Sequence, residues 1–248
     1  MTDTPQMHDS EDQPQGASHG LPIVRLRPKA EARAIRHGFP WVYADELVTD
    51  RRTGKIPAGG FAVLEDADRR EMGLVTVNTA SKIICRMMDR DISAVIDADW
   101  IAARLTKALA IRETLYDAPF YRLVHAEADG LPGVIIDRFG DTAVVQPNAA
   151  WSETAIEAIV AALKAVTGVT TVIKNGSGRA RTLEGLPEET SVLCGGVEAP
   201  IAVPMNGAAR GGLCSCRPTA RGCIRWSRIT WRPVKARGCP RTPISTGP

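Results

Sequence analysis

No aspartate or glutamate occurs in the last 42 residues of the chain, 207–248, although nine lysines and arginines do. The preceding 206 residues carry an excess of acid, so a net charge of −6 is followed by a net charge of +9. The overall charge of +3 therefore describes neither part of the chain. The tail also has no apolar periodicity, and we interpret it as a disordered, basic segment that is translated out of frame.

Cysteine is scarce in the patterned part of the chain. Only Cys85 and Cys194 precede the tail, and both lie in apolar, strand-like runs, which argues against a disulfide framework and for a reducing cytoplasm. No run of 18 apolar residues is present, so no membrane span is expected. The polar residues 1–20 lack the apolar core of a secretory signal and are expected to be disordered. The sequence thus predicts a cytoplasmic protein that does not bind membranes.

The other four cysteines lie in the tail, at Cys214, Cys216, Cys223 and Cys239. Structural zinc sites are usually built from paired cysteines with two to four residues between them. The one close pair here has a single intervening residue, and the fourth cysteine is distant. No metal site is therefore predicted.

The first patterned unit has the character of a small β-barrel or pseudobarrel. An alternating strand-like run at 21–27 is followed by a helical segment at 29–37, which Gly38 can end. Short strands joined by tight turns follow at 61–65, 72–78 and 82–88. Many short strands with one short helix favour a closed or partly closed sheet.

A helical apolar pattern then runs from Asp97 or Asp99, either of which can cap it, to about residue 116. Beyond it we read the order strand, strand, helix, strand, strand, which predicts a small α+β domain. Ser152 is expected to cap its central helix and Gly168 to end it. The last strand is assigned to 191–194 or to 201–203.

Basic and aromatic residues meet near the first helix. Five bases stand against one acid, Glu31, between residues 21 and 36, and Trp41 and Tyr43 follow closely. Neutralisation of a phosphate backbone together with base stacking needs this combination, which predicts RNA binding. On the residues alone, an alternative remains open, in which the two aromatic residues belong to the core and the arginines form a solvated face.

Two further patterns are interpreted as structural. The glycine-rich run 175–178 follows a strand, but Arg181 stands where a dinucleotide loop needs its third glycine, and no helical apolar run follows. Glu127, Asp129 and Asp137 could be imagined as an acid–base set, but Asp129 is more simply the first residue of a turn. We therefore assign no catalytic and no cofactor-binding residue.

Three segments carry a resemblance to a known family. The run 121–140, which contains Asp129-Gly130-Leu131-Pro132-Gly133, resembles a signature of the PUA-domain-containing, class I S-adenosylmethionine-dependent methyltransferases that modify cytosine C5 in large-subunit ribosomal RNA. The runs 36–42 and 181–186 are similar to segments of the same family. The resemblance implies an N-terminal PUA domain, a central α+β domain, and a C-terminal doubly wound domain that holds the cofactor and a cysteine nucleophile.

The third of these domains is expected to be absent, because 42 residues are too few for a doubly wound domain of about 150 residues. The resulting expectation is α+β, with a PUA-type pseudobarrel and a small α+β domain between disordered termini. The predicted boundaries are a disordered tail at 1–20, a PUA-like domain at 21–94, a linker helix at 95–120, a central domain at 121–206 and the basic tail at 207–248.

The resemblance implies that this chain is the RNA-binding portion of a 23S ribosomal RNA cytosine-C5 methyltransferase. We expect it to be inactive alone and to bind no cofactor, although the intact family uses S-adenosylmethionine. The predicted RNA contacts are Lys29, Arg33, Arg36, His37 and Trp41. The alternative is a free-standing PUA-type RNA-binding module without enzymatic activity. The sequence leaves the oligomeric state open.

Overall fold

The computed structural model describes residues 20–196 and two short strands at 201–203 and 212–214. Two five-stranded sheets with flanking helices, and a two-stranded pair at 201–203 and 212–214, make up the described part, so the α+β expectation is confirmed. The predicted tail at 1–20, apart from its last residue, and most of the tail at 207–248 lie outside the described residues. No helix in the part of the chain that the structure describes is long and apolar enough to cross a membrane.

The first sheet is a curled half-barrel with the strand order β1-β3-β4-β5-β2. Strand β1 runs parallel to β3, and the other neighbours are antiparallel. Register shifts interrupt all three antiparallel pairs, and such bulges bend a sheet and increase its twist. Its strands are β1 Ile23–Arg25, β2 Trp41–Tyr43, β3 Gly60–Glu65, β4 Glu71–Val77 and β5 Ile83–Asp89.

The concave face of this sheet encloses its own core, in which Leu26, Leu47 and Leu64 are almost fully buried. The helix α1, Ala32–Arg36, covers this core with Ile35. It is shorter than the predicted segment 29–37, because Lys29 lies in a turn before it. Gly38 follows with φ +108, a conformation that favours glycine, so the expected end of the helix is confirmed.

The second sheet has the order β10-β9-β8-β7-β6. Three antiparallel strands precede its helices, so the predicted order with two strands before the helix was wrong. The two helices carry the chain over to β9, which pairs parallel with β8. The elements are β6 Phe120–His125, β7 Val134–Phe139, β8 Thr142–Pro147, α3 Ala150–Thr154, α4 Ile156–Thr167, β9 Thr171–Lys174, α5 Arg179–Leu183 and β10 Ser191–Cys194.

One local expectation in this sheet was wrong, and an alternative that the sequence left open is decided. Ser152 does not cap a helix but lies inside α3, where its hydroxyl donates to the carbonyl of Ala149 at 2.7 Å. Of the two alternatives for the last strand, 191–194 is confirmed, because β10 pairs with β9 at the edge of the sheet, whereas 201–203 pairs with 212–214. Gly168 does end α4, with φ +70, as expected from the sequence.

Between the sheets lies α2, Ala98–Leu115, which is capped by Asp97, whose carboxylate accepts from the backbone N–H of Trp100 at 2.9 Å. Its buried side chains, including Trp100, Ile101 and Leu105, pack with α4 and β6. The predicted linker segment 95–120 thus contributes a full helix to the second core.

The two sheets share the core into which α2 packs, which is separate from the inner core of the half-barrel. Leu74 and Met88 of the first sheet pack in the same buried cluster as Trp100 and Trp151, whose rings meet edge to face at 6.4 Å. Because β4 also contributes Val75 to the inner core of the half-barrel, the first sheet is buried on both faces along this strand. The two halves therefore form one packed body.

Gly59 marks a close backbone approach between the halves. It has φ +83, and a Cβ placed there would lie 2.6 Å from the backbone nitrogen of Trp151. We expect Gly59→Ala to cost at least about 2 kcal/mol in the free energy of unfolding, because the left-handed backbone and the clash both act against it. Urea denaturation followed by tryptophan fluorescence measures this loss.

The matched control is Gly54→Ala. Gly54 has ordinary φ, and a Cβ there would meet no atom within 4 Å, so this variant should unfold close to wild type. Equal stability of the two variants would contradict the proposed close contact.

Candidate nucleic-acid interface

The five bases near α1 divide into anchored and free groups. Arg25 donates to Glu65 with Nε at 3.0 Å and a terminal nitrogen at 2.7 Å. The Nε of Arg27 donates to the carbonyl of Leu47 at 2.9 Å. Both side chains are thereby tied to the half-barrel, and they hold its first strand in place.

Lys29 and Arg33 are both exposed. Neither side chain forms an ion pair or donates a hydrogen bond within residues 20–196. An exposed cation without a protein partner can neutralise a phosphate without first breaking an internal contact. These two predicted residues are therefore the best placed for an RNA backbone.

Arg36 pairs with Asp66, which is almost fully buried, while its own side chain stays 43% exposed. Burial raises the pKa of the Asp66 carboxyl, but two backbone N–H groups and the Arg36 guanidinium outweigh it, so the pKa lies below its usual value. Arg36 can still present donors to solvent, but it is also a structural residue.

His37 is exposed and directly follows α1. Its Nδ1 lies 2.8 Å from the carbonyl oxygen of Arg33, and since a carbonyl can only accept, Nδ1 carries the proton. The Nε2 atom is left for a partner. Four predicted contacts, Lys29, Arg33, Arg36 and His37, thus lie on or next to one short helix.

A strip of aromatic rings follows on the edge strand β2. Trp41 and Tyr43 point to one face, while Val42 between them is buried. Phe39 joins them, with ring centroids 6.0 Å from Trp41 and 6.4 Å from Tyr43. Phe39 and Tyr43 are 39% and 37% exposed, which leaves ring surface available for stacking.

Trp41 has a second role, because its indole N–H donates to Glu127 of the second sheet at 2.8 Å. Arg86, which lies opposite Trp41 in the β2–β5 register, donates to the same carboxylate oxygen at 2.8 Å. Ala126, just before Glu127, has φ +47, an uncommon backbone conformation for a residue with a Cβ. The predicted contact Trp41 therefore lies at the junction of the two sheets.

Glu184 completes this junction from α5. Its carboxylate accepts from Arg86 at 2.8 Å, from Ser81 at 3.0 Å and from Asn78 at 2.8 Å. Glu184 is 5% exposed, so its charge depends on these partners. Sequence reasoning missed Arg86 and Glu184, because nothing in their spacing shows that residues about a hundred positions apart meet.

The acidic residues and the glycine-rich run that the sequence analysis interpreted as structural have structural partners. Asp129 pairs with Arg112, and Asp137 pairs with Arg122. The glycine-rich run does precede a helix, which the sequence did not predict, but α5 has only five residues. A Cβ at Gly176 would lie 1.9 Å from the carbonyl oxygen of Glu189, so close packing against protein backbone explains the glycine at this position.

Burial raises the pKa of the Cys85 thiol to about 12, so Cys85 is an unreactive core residue. Cys194 is half-buried, and the Lys164 ammonium lies 3.2 Å from its sulfur. Within the described ranges, no group of acidic, cysteine or histidine side chains is arranged to hold a metal ion.

Comparison with known proteins agrees with this geometry. Residues 24–90, which span the half-barrel, match the family model of the PUA-like domain. Ribosomal RNA large subunit methyltransferase I of Shewanella amazonensis is 31% identical over 188 residues, covering 74% of this chain. The chain therefore contains a PUA-like domain and is related, over about three quarters of its length, to proteins named ribosomal RNA large subunit methyltransferase I. Ribosomal RNA large subunit methyltransferase of Deinococcus radiodurans is 34% identical over 139 residues, or 52% of this chain.

The family match covers only part of each relative: 47% of the Shewanella protein and 34% of the Deinococcus protein.

Two solved structures share the fold. A putative SAM-dependent methyltransferase from Streptococcus mutans has a TM-score of 0.62 at 13% identity, over 79% of this chain and 49% of its own. A putative methyltransferase complexed with SAH has a TM-score of 0.60 at 14% identity, over 78% of this chain and 48% of its own. The chain thus spans about half the length of its relatives.

Replacing Arg86 tests the junction. We expect Arg86→Ala to lower the free energy of unfolding by about 3 kcal/mol, because it leaves the Glu127 and Glu184 carboxylates partly buried without their cation. Urea denaturation measures this loss as a lower midpoint concentration with an unchanged m-value.

The control is Arg70→Ala. Arg70 pairs with Asp68 at 3.8 Å, and both side chains are 71% exposed, so its loss should change stability by less than about 1 kcal/mol. A junction that tolerates Arg86→Ala as well as this control would not be held by the ion network.

Proposed function

We propose that residues 20–196 form the RNA-binding part of a SAM-dependent methyltransferase that acts on cytosine C5 in 23S ribosomal RNA. The observation that carries this proposal is the coincidence of the PUA-like match at 24–90 with a surface that presents two unpaired cations and exposed aromatic rings. The names of the relatives support large-subunit ribosomal RNA as the partner.

In this proposal, residues 20–196 do not carry out the methyl transfer. The family resemblance suggests a cysteine thiolate that attacks C6 of the base and a methyl group supplied by S-adenosylmethionine. Cys85 is buried with a raised pKa, and the glycine-rich run precedes a helix of only five residues, so neither suits these roles. We therefore propose no catalytic or cofactor-binding residue within the described part.

The role of the described part is then to bind RNA and orient it. The junction formed by Arg86, Glu127 and Glu184 fixes the half-barrel against the second sheet. A fixed relative orientation sets the direction in which a bound RNA leaves the half-barrel. The same geometry also serves a free-standing RNA-binding module, which is the competing proposal.

Removing the free cations tests RNA binding. We expect Lys29→Ala/Arg33→Ala to weaken binding of a 23S ribosomal RNA fragment and to reduce the slope of log K against log salt. Each lost phosphate contact should change this slope by about 0.7 to 0.9. Filter binding at salt concentrations between about 50 and 200 mM measures both quantities.

The matched control is Lys107→Ala/Arg179→Ala, which removes the same two residue types from exposed positions on the second half. If control and test variants lose affinity equally, the attraction is non-specific charge. If the test variant binds with unchanged affinity and slope, the surface around α1 is not the RNA site.

A methyl-transfer assay tests whether this polypeptide only binds RNA or also modifies it. The 248-residue polypeptide should transfer no methyl group from S-adenosylmethionine to 23S ribosomal RNA, and calorimetry should show no binding of the cofactor. A scintillation assay with labelled methyl donor measures the reaction. Methylated RNA would show that the chemistry does not require the part of the relatives that this chain does not match.

A further inference from the structure

A hollow of about 470 Å³ lies at the end of β2, beside the aromatic strip. It is lined by five residues, Tyr43, Ala44, Asp45, Glu46 and Lys82. Its volume lies in the range of small-ligand sites, so it can take one nucleotide. Of these residues, only Tyr43 was associated with RNA binding from the sequence; Asp45, Glu46 and Lys82 were not predicted.

The walls of the hollow are fixed by hydrogen bonds. The backbone N–H of Ala44 donates to the carbonyl of Lys82 at 3.0 Å. The Glu46 carboxylate accepts from the backbone N–H of Tyr43 at 2.8 Å, and the Glu46 carbonyl accepts from Arg27 at 2.8 Å. A ligand would meet a surface that is already ordered, which lowers the entropic cost of binding.

Three kinds of side-chain chemistry converge there. Tyr43 offers a ring that is 37% exposed. Asp45 is exposed, and its carboxylate has no partner within residues 20–196, while exposed Lys82 likewise keeps its ammonium free. The site therefore combines one stacking surface, one acceptor of hydrogen bonds and one cationic donor.

Guanine complements this set best. Its Watson–Crick edge presents two adjacent donors, N1–H and N2–H₂, which a carboxylate can accept together, and the O6 acceptor beside them can receive an ammonium donor. Uracil places two carbonyl oxygens around a single donor, so its edge would repel the carboxylate. The edge is accessible only when the base is unpaired.

We propose that this hollow binds one unpaired guanine nucleotide, which stacks on Tyr43 and is read by Asp45 and Lys82. The inference deepens the proposed RNA-binding function and rests on it. It specifies the RNA as one that presents a bulged or single-stranded guanosine next to the backbone bound by Lys29 and Arg33.

The test uses fluorescence anisotropy with the full chain and hairpin RNAs that differ only in one bulged nucleotide. Wild type should bind the guanosine bulge at least about fivefold more tightly than the uridine bulge. Tyr43→Ala should lose at least about fivefold in affinity for the guanosine bulge, while Tyr43→Phe, which keeps the ring, should bind close to wild type. Asp45→Asn should bring the guanosine and uridine affinities together.

Tyr116→Ala is the matched control, because Tyr116 is 36% exposed but lies at the end of α2 in the second half. It should bind both the guanosine-bulge and the uridine-bulge RNA as wild type does.

The possible failures are distinguishable. Binding that is equal for all bulges, unaffected by Tyr43→Ala and still weakened by Lys29→Ala/Arg33→Ala overturns the guanine site and leaves the RNA-binding function intact. Absence of RNA binding by wild type overturns both. A Tyr43→Ala loss that Tyr116→Ala reproduces shows a general effect on folding and also overturns the site.

Discussion

The contact on which the structure most depends is the Arg86 guanidinium held between two carboxylates. Glu127 comes from the turn after β6 and Glu184 from the end of α5, so one cation joins the half-barrel to two distant parts of the second half. Its Nε is buried without a hydrogen-bond partner among the described residues. Such a network is costly to desolvate, and its main effect is to specify one relative orientation of the sheets.

The orientation matters because the proposed RNA surface lies next to this contact. Trp41 uses its N–H on Glu127 and its ring in the aromatic strip, so the junction and the strip are physically linked. RNA that stacks along β2 would therefore lie close to the second half as well as to α1.

The sequence predicted local structure better than its assembly. The strands of the half-barrel, the Asp97 cap and the Gly168 helix end follow from alternation and capping, which are local properties. The three-strand start of the second sheet, the parallel β8–β9 pair and the paired strands at 201–203 and 212–214 are set by long-range pairing. At the site, the basic cluster was visible, but only the structure separates anchored Arg25 and Arg36 from free Lys29 and Arg33.

The shared core has a consequence for the independence of the half-barrel. A piece cut at the limits of the PUA-like match, 24–90, would include Leu74 and Met88 but lose Trp100, Trp151 and the rest of their cluster. These two apolar side chains would then face water, and the excised fragment would expose an apolar patch that promotes aggregation. The half-barrel thus matches a domain family by sequence, but it needs the chain that follows it to bury its outer face.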